Sequence, residues 1–176
     1  MPYPDAYIAY LVEFHATRDY FECHELLEEY WKNHADDGLG DLWVGLIQTA
    51  VGQYHERRGN RRGAAKMYRQ AAAKLSDLPL EAFGIDSFSL LRQLEERLAV
   101  CQSEPGERPY EDMEITLTDE KLRALCEAAC KERGLVWGAS SSQIAEEIVH
   151  RHLTRDRSEV VRAREAAWRA RRERNG

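Results

Sequence analysis

A chain of 176 residues, 43% hydrophobic and 32% charged, has the length of one domain with an appendage and can bury about 70% of the surface its unfolded form exposes. Its net charge of −6 is unevenly divided: the arginine-rich residues 151–176 carry +5 and the first 150 residues −11, so the body of the chain repels nucleic acid and binding to it is not expected. Cys23, Cys101, Cys126 and Cys130 form no C-x-x-C pair, no N-terminal stretch reads as a signal peptide, and no apolar run nears the ~18 residues of a membrane span, which together point to reduced thiols, a cytoplasmic location and no membrane contact.

Helical periodicity dominates from the start. Tyr3, Tyr7, Tyr10, Leu11 and Phe14 recur at three- and four-residue steps, predicting a first helix from about Pro4 to Ala16. Asp19 followed by Glu22 is a capping-box pattern that opens a second helix, which ends near Gly38 and Gly40. Each helical residue advances by about 100°, so Tyr20, His24, Leu27, Glu28 and Trp31 fall on one stripe that should be buried. A lone carboxylate there costs several kcal/mol, so Glu28 needs a partner. His24, one turn earlier, is the nearest.

The run Leu42 to His55 is apolar nearly all round and predicts a central buried helix, with Gly45 and Gly52 allowing a neighbouring helix to approach closely. Gln48, Gly52 and His55 share one face of it. Gly59-Asn60 marks a turn flanked by Arg57, Arg58, Arg61 and Arg62, and an Ala-rich helix resumes from Ala64 to Leu75. After Pro79 and Gly84, Ser87 can cap a helix that carries Leu90, Leu91, Leu94, Leu98 and Cys101. Ser103 to Pro109 reads as a boundary, Met113 to Thr118 as one short extended segment, and Asp119 to about Arg133 as another helix. Two last helices are predicted near 143–153 and 157–174.

The pattern His24-x3-Glu28-x2-Trp31, within Tyr20-Phe-Glu-x-His-Glu-x-Leu-Glu-x-x-Trp31, resembles the signature helix of the domain-of-unknown-function family 309. The likeness continues through Gly45-Leu-Ile-Gln48, Tyr54-His55 and Arg58-Gly-Asn-x-x-Gly-Ala64, roughly residues 13 to 76, with Cys23 standing where many relatives have a small residue. The resemblance implies an all-helical bacterial and archaeal family whose His-x3-Glu-x-x-Trp motif is suspected of binding metal, with no established activity. It implies nothing firm for the tail beyond Pro109.

The expected architecture is all-α: a multi-helix bundle with a central antiparallel helix pair and a C-terminal helical extension, divided as a core domain over 1–104, a linker over 105–117 and the extension over 118–176. Three readings of the motif stay open. His24, Glu28 and His55 could hold a divalent metal such as Zn or Fe; they could belong to a metal-free network lining a ligand pocket with Trp31 and Gln48; or the network is purely structural. If the site is catalytic, metal-assisted hydrolysis is the reaction class to test. Asn60, Arg58 and Arg61 beside a helix N-terminus suggest a small anionic ligand. The alternative is an interaction or structural module with a basic C-terminal helix, and an oligomer is compatible with either reading.

Overall fold

A computed structural model describes residues 3–143, 146–150 and 169. The fold is all-α. The helices are α1 (Asp5–Val12), α2 (Tyr20–Asn33), α3 (Gly40–Arg57), α4 (Arg61–Leu75), α5 (Ser87–Gln102), α6 (Glu120–Glu132) and the single turn α7 (Glu146–Val149). The basic helix expected over 157–174 lies, apart from Arg169, outside the described residues.

Local chemistry sets most of the boundaries. Asp19 caps α2 by accepting from the Glu22 N–H at 3.1 Å, Asn60 caps α4 through Gly63 at 3.0 Å, and Asp86, one residue before the expected Ser87, caps α5 through Ser89 at 3.0 Å. The expected α1 is shorter as an α-helix, because residues Glu13–Thr17 continue it as a π-helical turn. That turn ends at Arg18, whose φ of 53° is the one left-handed non-glycine conformation among the described residues.

Helix α3 is the centre of the bundle. Its register against α2 is antiparallel: Phe21 meets Tyr54 at one end with ring centroids 5.8 Å apart, and Tyr30 meets Trp43 edge-on at the other, 5.3 Å apart. Against α4 it packs still more extensively, and Gly45 and Gly52 set the spacing. A Cβ added at Gly45 would lie 2.6 Å from Leu75, and one at Gly52 2.5 Å from the Tyr68 ring, so each glycine leaves the room that a neighbouring side chain fills. Helix α5 covers α4, and α1 is held between α2 and α6.

Residues 109–117, within the segment expected as a linker, run extended as a strap across the core. Met113, Ile115 and Leu117 are buried at alternate positions, as an extended chain with one covered face requires. Leu117 makes an isolated antiparallel bridge with Ile85.

Candidate functional site

The motif of α2 forms a ladder along one face. His24 Nε2 lies 2.7 Å from Glu28, and Lys32 Nζ lies 2.6 Å from the other Glu28 oxygen. These are i,i+4 neighbours one turn apart. The stripe is buried at Tyr20 and Leu27, but His24 and Glu28 keep 26% and 23% of their side-chain exposure. Glu28 thus meets its need for a partner at the edge of the core, through an imidazole and an ammonium. Trp31, farther along, lies over the start of α3, its indole nitrogen 3.4 Å from where a Cβ on Gly40 would sit.

Of the other singled-out residues, Gln48 and His55 turn toward α4 and its cap. Gln48 donates to Gln70 at 3.0 Å. His55 Nδ1 is 3.3 Å from the Asn60 amide nitrogen, and burial, with the charge of Arg58, lowers its pKa, favouring the neutral ring. Arg58 lies over the Tyr54 ring at 5.5 Å. Arg61 donates to the Val100 carbonyl and the Ser103 hydroxyl at the end of α5. The fold therefore brings His24 and Glu28 together, and His55 and Asn60 together. No three His, Cys, Asp or Glu converge as a metal site among the described residues.

A second, deeper polar cluster joins α2, α3, α4, α5 and the strap. Gln53, wholly buried, donates to the Tyr68 hydroxyl at 2.7 Å and accepts from the Met113 N–H at 2.7 Å. Tyr68 donates to Glu56 at 2.9 Å, and Arg97 donates to the second Glu56 oxygen at 2.9 Å. Burial raises the Glu56 pKa, with Arg97 and Tyr68 opposing it. Asp112 accepts from Tyr110 at 2.6 Å and from the Ser141 N–H at 2.7 Å. Burial would push its carboxyl up, but the bonds from Ser141 and Tyr110 outweigh that and hold it below the usual range. Sequence patterning does not single out this cluster. Its one legible signal is Gln53 and Glu56 on the buried side of the central helix, which only their pairing with distant residues explains.

At the start of α4, Asn60, Arg62, Lys66, Arg69 and Cys101 border an open depression of about 710 Å³. Arg62, Lys66 and Arg69 are exposed and at i, i+4 and i+7 share one stripe. They make no ion pair among the described residues. Burial and Glu56 push the pKa of the Cys101 thiol beside them up to about 11, which disfavours the thiolate.

The family model described as Domain of unknown function (DUF309) matches residues 7–67. The chain is 40% identical over 165 residues to the uncharacterized protein YpuF of Bacillus subtilis (strain 168), a match that covers 93% of each chain. It is 28% identical over 95 residues to an uncharacterized protein of Aquifex aeolicus (strain VF5), covering 53% of this chain and 28% of that one. No solved structure matches. No helix among the described residues is long and apolar enough to cross a membrane.

Proposed function

We propose, on the premise that this chain belongs to the DUF309 family, that it is a binding module for a small anionic ligand seated on the basic depression at the start of α4. The observation that carries this is the stripe Arg62, Lys66 and Arg69, three exposed cations bordering one depression in a chain of net charge −6. Surface cations on an acidic protein usually pair with acidic neighbours; a cluster that makes no ion pair among the described residues attracts an anion from solution. Two guanidinium groups suit the flat oxygens of a phosphate or carboxylate, and the ammonium between them adds a point charge. Asn60 at the rim links this depression to His55 through the contact of their side chains.

The same geometry favours an anion over a metal ion. His24 and Glu28 offer two donors, one of them shared with Lys32, whereas Zn and Fe sites take three protein ligands or more.

The reading is tested by titrating inorganic phosphate and a nucleoside triphosphate into the full chain and into Arg62→Gln/Lys66→Gln/Arg69→Gln. The substituted positions are on the surface, so both proteins should fold alike. Wild type should bind the more highly charged probe more tightly, with affinity falling as salt rises. Equal affinity in wild type and the triple variant, or binding that salt does not weaken, overturns the proposal.

A further inference from the structure

The strap is held along its backbone by side chains of the helical body, all but Gln93 of them buried. Gln53 takes the Met113 N–H at 2.7 Å and reaches the Glu111 carbonyl at 3.5 Å. Arg18 donates to the Met113 carbonyl at 2.8 Å. The Gln93 amide grips both the N–H and the carbonyl of Glu114, at 2.8 and 2.7 Å. His15 Nε2 accepts from the Ile115 N–H at 2.9 Å, and Arg97 reaches the Pro109 carbonyl at 3.3 Å.

These residues come from the π-helical turn after α1, the residue Arg18 that ends it, α3 and α5, so separate elements converge on one extended backbone. Main-chain bonds with pockets for alternate side chains are the logic by which proteins bind extended peptides. Here Met113, Ile115 and Leu117 fill the apolar side, and the acidic Glu114 between the first two meets a basic residue. Glu114 pairs with Arg18 at 2.6 Å, and the charge of Arg18 also acts on Asp112.

We propose that the face carrying His15, Arg18, Gln53, Gln93 and Arg97 is a receptor groove for extended polypeptide, filled in cis by residues 109–117. The partner it admits in trans is an extended segment with apolar residues at alternate positions, an acidic residue between the first two of them to meet Arg18, and no proline where the Met113, Glu114 and Ile115 N–H groups are used. This site is separate from the basic depression and does not rest on it. The strap competes from within the same chain at an effective concentration in the millimolar range, so an outside peptide enters only when the strap is weakened.

The probe is a fluorescent synthetic peptide of residues 108–118, followed by anisotropy. Full-length Ile115→Glu, whose own strap is unseated, should bind it at least about tenfold more tightly than wild type does. Adding Gln53→Ala should reverse that gain, and a peptide with proline in place of Glu114 should not bind. A folded Ile115→Glu protein that leaves the peptide free, or binds the proline peptide equally, overturns the proposal. Amide exchange in the unaltered chain gives an independent readout that also serves if Ile115→Glu does not fold. The Met113, Glu114 and Ile115 amides should exchange together, ahead of the α3 core, and exchange only with global unfolding overturns the groove reading.

Discussion

Arg97 on α5 donates to Glu56 at the end of α3 across 2.9 Å, and both residues are less than a tenth exposed. A buried pair of this kind adds little over well-packed apolar residues, yet removing one partner strands the other. Arg97→Met should cost about 3 to 5 kcal/mol in urea unfolding near neutral pH. The sign with pH follows from Glu56. Its folded pKa is raised above the unfolded value, so its contribution is most favourable below the unfolded value and is lost as pH rises through the folded one. Without Arg97 that raising grows, and the gap between variant and wild type should narrow on acidification. A gap independent of pH would show that Glu56 is not the group left stranded.

His15 gives the opposite pH dependence. Its ring is buried, donates to the Leu11 carbonyl at 2.8 Å and accepts from the Ile115 N–H, and burial pushes its pKa down to about 3. Between about 3 and 6.5 the unfolded chain takes up a proton that the folded chain refuses, so stability falls as pH drops through that window. The His15 ring resonances should not titrate down to pH 4 by NMR, and His15→Gln should flatten the stability profile between pH 4 and 6.5. A ring that titrates near its ordinary value would contradict this.

Gly52→Ala should lower stability by about 1 to 3 kcal/mol, because the new methyl meets the Tyr68 ring at 2.5 Å and Tyr68 is fixed by Gln53 and Glu56. Thermal unfolding measures it. Gly52→Ala combined with Tyr68→Phe should cost less than the sum of the two, since the phenol would no longer be tied to that position.

Glu28→Gln should change stability by only about 0.3 to 1 kcal/mol, because the His24–Glu28–Lys32 ladder consists of partly exposed i,i+4 pairs. Chemical denaturation of Glu28→Gln beside Arg97→Met compares the two polar clusters directly. A larger loss at Glu28 than at Arg97 would place the structural polar centre in α2 instead.

The all-helical architecture, the central α3 and the close approach of a neighbouring helix at Gly45 and Gly52 were legible in the residue pattern, because periodicity, caps and small residues act within a few turns of one helix; that the neighbour is α4 was not. The pairing of His24 with Glu28 was legible for the same reason: residues four apart must be neighbours. Whether the stripe carrying them was fully covered was not, since coverage depends on which element packs over it. Leu27 on that stripe is fully buried while Glu28 is not.

Alternation marked Met113 to Leu117 as extended, and the sequence by itself determined the main helices and the local pair His24–Glu28, though not the π-helical turn at Glu13–Thr17. Only the tertiary structure decided that this segment lies on His15, Arg18 and Gln53, and that Glu56 meets Tyr68 and Arg97. Those contacts join residues 12 to 100 positions apart, and no spacing rule encodes them. They follow from helices packing by shape, which places the few buried polar groups where each finds its partner.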